Sequence, residues 1–446
     1  MSKERITVCV KHCASLVAKS NPMLFYSIKS YLRRSTPAPV LGVLLSVYHF
    51  SLAYLAALMY GFPSRRMLVI AVTGTKGKSS TIEMINAILE AAGYTTAVLN
   101  SIRIKVDTES EPNLMRMSMP GRFFIQAFLA RAVRAGCTAT ILEMTSEGAR
   151  QHRHRAIELD ALVFTNLAPE HIESHGSYEA YANAKFEIGL QLARSRKRPR
   201  FAVINADDGQ GTRYLTLQVE HPIPFLLAAH APYAADDNGG HFMFEGENIA
   251  IKLPCVFSLY NSISSATLTR ALGISTKLIA HGLASVTCIP GRAERIEAGQ
   301  NFHVIVDYAH TIESQEAIYQ AFGNHKKICV FGSCGGGRDT WVRPQKGQVA
   351  EKYCDTIILT NEDPYDEDPR SIVEAIAHGI KREPLIIMDR RAAIAHALSI
   401  AHEGDAVIIT GKGTDPTIQG PRDTSTPWSD AQVTREEIAK MLNHRV

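Results

Sequence analysis

"MLVIAVTGTKGKSS", residues 67–80, joins an unbroken apolar run to a glycine-rich turn that ends in Gly-Lys-Ser. A short apolar run rich in Val and Ile reads as a strand buried on both faces. The following "STIEMINAILEAAG" (80–93) places apolar residues at helical spacing and stops at Gly93. Strand, glycine turn and helix in that order form a phosphate cradle, because the turn's N–H groups and the helix N-terminus point at anionic oxygens. The common spacing, G-x-x-x-x-G-K-[ST], would need a glycine at 72, where this chain has Val72. The stretch is therefore either a plain strand-to-helix turn with a surface lysine or a shorter cradle. Strand before, helix after and Lys-Ser at the junction favour the cradle. In that reading Gly74, Thr75, Lys76, Gly77 and Ser80 shape a phosphate site. Lys78 neutralises the β/γ charge, and Ser79 puts its hydroxyl where magnesium binds.

Outward from the cradle the same alternation continues. "TATILEMTS" (138–146), "DALVFTNL" (160–167) and "FAVINADD" (201–208) read as strands. "SYEAYANAKFEIGLQLARSRK" (177–197) reads as a helix capped by Ser177. The Pro and Gly of "TCIPGRAERIE" (287–297) mark a domain boundary. Beyond it, "FHVIVDY", "KICVFGS", "DTIILTN", "PLIIMD" and "DAVIITGKG" are strands separated by several helical segments. The expected fold is α/β: a central P-loop-type ATPase domain with a parallel-rich sheet over 67–290, then a C-terminal Rossmann-like, doubly wound domain over 291–446. Residues 1–66, a hydrophobic and helical prefix, show no βαβ pattern of their own.

A length of 446 residues suits two or three domains, and 46% apolar with 21% charged residues is a globular composition. The net charge of +4, without a long basic run, gives no reason to expect nucleic acid. The eight cysteines contain no C-x-x-C, which argues against a disulfide framework or zinc ribbon and for a reducing cytosol. From Val40 to Phe62 there is no Lys, Arg, Asp or Glu. That stretch is long enough to cross a bilayer. It starts too far from the N-terminus for a secretory signal, and Arg33, Arg34, Arg65 and Arg66 on its two flanks choose no orientation. A helix packed on the protein or lying at a membrane surface is one reading; a spanning helix is the other.

Magnesium needs hard oxygen ligands near strand ends. Glu143 closes one strand and is a candidate, while His171 in "TNLAPEHIESHGS" is a lone histidine of the kind that more often serves structure. Lys185 lies in an ordinary helical charge pattern.

"VTGTKGKSST", "LEMTSEG", "FTNLAPEHIESHGSYEAYANAK", "VINADD", "PGRAE", "VDYAH" and "GGGRD…RP" follow one another in the order seen in the Mur ligase family. The resemblance covers about residues 67–420 and is greatest to the branch that adds the third residue of the peptidoglycan stem peptide. The short cradle is that family's form. The resemblance implies an ATP- and magnesium-dependent ligase that forms an amide through an acyl phosphate in cytoplasmic peptidoglycan precursor synthesis. It further implies Lys78, Glu143, His171 and Lys185 as catalytic residues, with Ser79, Glu143, His171 and a carbamylated Lys185 holding magnesium. Asn261 would meet adenine, and Arg292 and Asp307 would reach ATP from the second domain. Thr145, Ser146, Arg153, Arg338, Asp339, Glu362, Asp363, Tyr365 and Asp415 would bind substrates. The expected partners are an amino acid and a muramoyl-peptide-like acceptor, acting on a monomer in the cytoplasm, with contact to a membrane surface through 40–62 left open.

Three departures bear on substrates. The family's N-terminal UDP-gripping domain has no counterpart in the pattern before the cradle. Where diaminopimelate-adding members carry Asp-Asn-Pro-Arg, this chain has Glu362-Asp363-Pro364-Tyr365, and tyrosine cannot form the bidentate fork of arginine. Gly-Lys-Gly-His-Glu becomes Gly411-Lys412-Gly413-Thr414-Asp415. A different amine is expected. A lipid-linked or non-muramoyl acid is the alternative acceptor, and a non-catalytic ATP-binding scaffold is the alternative role; folate-polyglutamylating relatives fit "HIESHG" and "GGGRD…RP" less well.

Overall fold

Eight strands form the first sheet: β1 (Leu68–Thr73), β2 (Thr96–Leu99), β3 (Arg103–Val106), β4 (Glu109–Pro112), β5 (Ala139–Glu143), β6 (Ala161–Phe164), β7 (Phe201–Asn205) and β8 (His221–Phe225). Their order is β4-β3-β2-β5-β1-β6-β7-β8, parallel from β2 to β8 with the antiparallel β3–β4 hairpin at one edge. The structure is a computed structural model that describes residues 38–170 and 172–443. β1 lies between β5 and β6 in a register that pairs Val72 with Glu143 and Thr73 with Phe164. The carboxyl ends of the three strands therefore finish side by side, which is where open α/β sheets place their ligands.

Helices cover both faces because the central strands are apolar on both sides. The N-terminal helix α1 (Ala38–Met59) and the cradle helix α2 (Lys78–Ala91) are followed by α3 (Arg122–Arg134), the short α4 (Ser146–Arg150) and α5 (Tyr178–Arg194). α6 (Val256–Ala271) and α7 (Thr276–Ser285) complete this half. Leu129 of α3 and Leu192 of α5 enter one core with Leu162; Ile85 of α2, Ile263 of α6 and Ile279 of α7 enter the other with Ile70. Ser177 caps α5 by accepting from the Ala180 N–H at 3.1 Å.

Three short strands, β9 (Ala234–Ala235), β10 (Gly240–Phe244) and β11 (Glu247–Ile251), form an antiparallel flap that the sequence pattern did not reveal. The second large sheet contains β12 (Glu294–Arg295), β13 (His303–Asp307), β14 (Lys327–Phe331), β15 (Thr356–Leu359), β16 (Leu385–Ile386) and β17 (Ala406–Thr410), ordered β12-β13-β17-β14-β15-β16. Its strands are parallel apart from β12. It is flanked by α8 (Ile312–Ala321), α9 (Val342–Tyr353), α10 (Pro369–Ala377), α11 (Arg390–Ser399) and α12 (Asp430–Asn443). The flap reaches this half: Asp237 carries an ion pair with Arg295 at 3.1 Å and lies 3.3 Å from His325.

One cysteine pair is joined, a single link rather than a framework. Cys329, in the middle of β14, is bonded to Cys354, the residue that ends α9, with Cα atoms 6.1 Å apart. The crossover helix returns the chain against the strand it left, so two cysteines far apart in sequence meet in the same core. Spacing alone could not reveal this, since the pair has no local motif.

Most of the charge-free stretch at 40–62 lies in the 22-residue helix α1, which ends at Met59. One side of it rests on the first half of the molecule, with Ala53, Ala56 and Ala57 buried; Val43, Val47, Tyr54 and Leu58 remain exposed.

Candidate active site

Gly74 has φ +147° and a Cβ there would come within 2.0 Å of Thr165 Oγ1. Gly77 has φ +80° and a Cβ there would meet Asn261 Oδ1 at 2.3 Å. Both positions are closed to any side chain, by backbone conformation and by contact. The turn is held by Asn166, whose carbonyl accepts from Thr75 N at 2.8 Å and whose Oδ1 accepts from Lys76 N at 2.9 Å. Lys78 opens α2 and donates to the Thr75 carbonyl at 2.9 Å.

Ser79 donates to Glu143 Oε2 at 2.8 Å and lies 2.8 Å from the Ser101 hydroxyl. The Ser101 N–H also donates to Glu143 Oε2, at 3.1 Å. A buried hydroxyl and a buried carboxylate converging at the mouth of the cradle are the hard oxygen donors that magnesium prefers. The residues present therefore fit that ion. Lys185, buried in α5, donates to the Gly74 carbonyl at 2.6 Å. Burial, with Lys78 and Lys76 adding repulsion, holds its pKa well below the usual lysine value, against the pull of Glu170 and Glu143. The fourth member of the expected metal set, His171, lies outside the described residues.

Beside the cradle, Lys76 Nζ is 3.2 Å from Glu170 Oε1, which is 2.7 Å from His310 Nε2. Burial lowers the Lys76 pKa while Glu170 raises it. Glu170 and His310 come from different halves of the molecule, so this trio ties β6's outgoing loop to the loop after β13.

Three cavities run into one another. The first, about 390 Å³, has walls from Ser80, Asn261, Tyr260, Asp207 and Asp307. It shares Lys76, Gly77, Arg292 and Tyr308 with a second, about 210 Å³, centred on the cradle, Glu143 and Thr145. The second shares Arg116, Glu170, Tyr308, His310 and Asp415 with a third, about 200 Å³, walled by Arg338, Asp339, Glu362, Asp363 and Tyr365.

Arg292 stacks over the Tyr308 ring at 4.7 Å and donates to Ser101 Oγ at 3.3 Å, so it reaches the metal-type cluster from the second half. Asp307 is buried and accepts from the N–H groups of Ala293 and Ala309; burial raises its pKa. Asn261 is buried on α6 and accepts from Thr81 at 3.3 Å.

In the third cavity Lys412 joins Asp363 at 2.7 Å and Asp415 at 3.3 Å. Arg338 lies over the Tyr365 ring at 4.9 Å. Burial and the neighbouring carboxylates Glu173 and Glu170 push the Asp339 carboxyl up to about 7. Thr145 caps α4. Ser146 and Arg153 are not in the walls of these cavities: Ser146 is buried at the start of α4, and Arg153 is turned to the Met119 carbonyl and to Gln151 Oε1 at 2.8 Å.

Arg116 escaped the sequence reading. It sits in a left-handed turn (φ 55°) between β4 and α3 and donates to the Tyr365 hydroxyl at 3.4 Å across the gap between halves. Nothing local marks it, since its role depends on a residue far along the chain. Tyr308, His310 and Glu170 were within quoted motifs, but their convergence was not legible.

Family comparison places these features in context. The Mur ligase middle domain matches residues 72–269, and the Mur ligase glutamate ligase domain matches residues 291–413. UDP-N-acetylmuramoyl-L-alanyl-D-glutamate--2,6-diaminopimelate ligase of Syntrophomonas wolfei is 35% identical over 402 residues, covering 86% of this chain and 81% of its own. UDP-N-acetylmuramyl-tripeptide synthetase of a Roseiflexus species is 34% identical over 421 residues, covering 88% and 82%. A solved UDP-N-acetylmuramoyl-L-alanyl-D-glutamate--2,6-diaminopimelate ligase superposes with a TM-score of 0.58 at 25% identity, over 84% of this chain and 79% of its own. Mycobacterium tuberculosis folylpolyglutamate synthase shares the fold, with a TM-score of 0.65 at 16% identity over 82% and 93%. An α/β chain with two large sheets and a glycine cradle between its halves, related to these proteins along most of its length, is of the multidomain ligase type. The chain belongs to the Mur ligase family.

Proposed function

We propose that the chain is an ATP-dependent ligase that joins the amine of an amino acid to the carboxylate of a muramoyl-peptide-like acceptor in cell-wall precursor synthesis. The observation that carries this reading is the line of three joined cavities, with the cradle and its cations in the middle one. In this reading residues 67–290 act as a P-loop-type ATPase domain and 291–446 as a Rossmann-like domain. ATP lies with adenine by Asn261, its phosphates by Lys78, and Arg292 and Asp307 closing from the second domain. Such a chain works in the cytoplasm as a monomer.

An acceptor carboxylate oxygen attacks the γ-phosphorus, the bond to the β–γ bridging oxygen breaks, and ADP leaves with an acyl phosphate formed. The amine then attacks the acyl carbon, the carbon–oxygen bond to phosphate breaks, and the amine proton passes to a nearby base, for which Asp415 is positioned. Two anions must approach, so the catalytic work is charge neutralisation and positioning. Ser79 and Glu143 would hold magnesium, which when bound offsets phosphate charge. A neutral Lys185 can add carbon dioxide at Nζ and release a proton; the carbamate, with His171, would hold a second ion. Arg338 and Asp339 meet the common end of the amino acid. Arg116 offers a guanidinium from the other domain where diaminopimelate-adding relatives place arginine at the position of Tyr365. The different amine rests on Tyr365 and Thr414-Asp415, which replace the family's arginine and His-Glu, and on Arg116 approaching from another direction than that arginine.

Phosphate release, measured across candidate amino acids and muramoyl peptides with and without UDP, tests the proposal. Turnover should require amine and acceptor together and fall by about a thousandfold or more in Lys78→Ala. Amine-independent turnover, or none with any acceptor, would overturn it.

A further inference from the structure

Helix α1 is built inside out for a water-soluble surface helix. Ser46 Oγ lies 2.7 Å from His152 Nε2, and His49 Nδ1 accepts from Arg122 at 2.8 Å. Ala53, Ala56 and Ala57 are buried on the same stripe. These residues recur at three- and four-residue intervals, so the polar and small side chains form the face that meets the protein. The rest of the helix surface is apolar and open: Val43, Val47, Tyr54 and Leu58 flank the stripe at 63%, 59%, 45% and 67% exposure, and Leu44 and Leu55 lie opposite it. A soluble amphipathic helix has the reverse arrangement. A contiguous exposed apolar patch of this kind marks an interaction surface.

Charge selects the occupant. Residues 1–37 carry seven Lys and Arg and a single acidic residue, Glu4, and Arg65 and Arg66 lie in the turn a few residues past the helix. Between Val40 and Phe62 there is no charged side chain with which a protein partner could pair. An uncharged apolar face with basic residues on both flanks is complementary to anionic lipid. Basic residues near both ends suit a helix lying on one leaflet, since each end can meet anionic headgroups there. The inward stripe stays fastened to α3 and to the segment after α4, which keeps the helix along the protein surface. At 22 residues it extends about 33 Å, enough for a broad contact in the membrane plane.

We infer that α1 seats the chain in the headgroup–acyl boundary of an anionic bilayer, lying parallel to it with Val43, Val47, Tyr54 and Leu58 in the apolar layer. The contact bears on substrate access. Arg122, which holds His49, also donates to the Gln151 carbonyl at 2.9 Å, and Arg153 bonds the Met119 carbonyl beside Ser118 of the cradle cavity. The acceptor side of the cleft is thereby held near the membrane surface; this last point rests on the function proposed above.

Flotation of the full chain tests the inference, using vesicles of phosphatidylcholine alone and of phosphatidylcholine mixed with phosphatidylglycerol. Wild type should float with the anionic vesicles, bind pure phosphatidylcholine less, and be released by alkaline carbonate. Val47→Glu combined with Leu55→Glu should weaken partitioning about tenfold or more. Both side chains are exposed, so circular dichroism and ligase activity with a soluble acceptor should be kept, which separates failure of docking from failure of the ligase reading. Wild type that never floats, or a double variant that floats equally well, would overturn the inference. So would carbonate-resistant insertion, which marks a spanning helix. A concentration-dependent dimer lost in the double variant, without vesicle binding, would assign the face to a second copy instead.

Discussion

The two ends of the cleft are built differently. At the phosphate end, the cradle, Ser79, Glu143 and Lys185 all come from elements around β1, and short hydrogen bonds fix each of them. At the amine end, Arg116 comes from one half while Tyr365, Asp363 and Lys412 come from the other, and Arg116 meets Tyr365 only at 3.4 Å. On the function proposed above, the first end, tied together within one half, takes the triphosphate, and the second takes the amine. The second end is assembled across a gap, so small changes there can alter the amine without disturbing the nucleotide.

The largest effect should fall at the phosphate end. Lys185→Arg keeps the positive charge but removes the readily neutralised amine, since guanidinium stays protonated. If a neutral Lys185 is required, kcat should fall about a hundredfold or more while ATP affinity changes little. Wild-type turnover in that variant would remove the distinction between the two ends, because Lys185 would then be only a cation.

At the assembled end the effect should be selective. Arg116→Ala should raise KM for the amino acid about tenfold or more and leave KM for ATP within a few-fold. Tyr365→Arg should add about tenfold in kcat/KM for diaminopimelate relative to the native amine, by restoring a carboxylate fork. Equal shifts in ATP and amine constants would show that the two ends do not act separately.

The smallest effect is one of stability. Burial beside Glu173 and Glu170 raises the Asp339 carboxyl from 3.8 to about 7. Between those values the folded chain retains a proton that the unfolded chain has lost, so the contribution is fully present below pH 3.8 and is lost as pH rises through about 7. Asp339→Asn should flatten this decline, read as a smaller drop in Tm between mildly acidic and neutral pH. An unchanged slope would mean that Asp339 titrates normally and that the amine pocket is less enclosed than the structure implies.

The contrast also governs what could be read from residues alone. Gly74, Gly77, Lys78 and Ser79 lie within one short stretch, and strand periodicity on either side gives them a direction. Glu143 is one step away, because β5 is the direct parallel neighbour of β1. By contrast, Arg116, His310 and Asp415 share a cavity although nothing in their local sequence relates them. The β9–β11 flap stayed hidden because its strands mix exposed polar residues among the apolar ones instead of forming an unbroken apolar run, and the Cys329–Cys354 bond because it joins a strand to the end of a returning helix.

The sequence by itself determined the alternation of strands and helices, the place of the cradle and the absence of charge along α1, since each depends on neighbours in the chain. Only the tertiary structure decided which face of α1 is turned outward, how Lys185 is desolvated against the Gly74 carbonyl, and which residues from the two halves share the third cavity. Burial and charge pairing depend on distance in space, and the parallel crossovers bring distant segments together in ways local patterning does not encode.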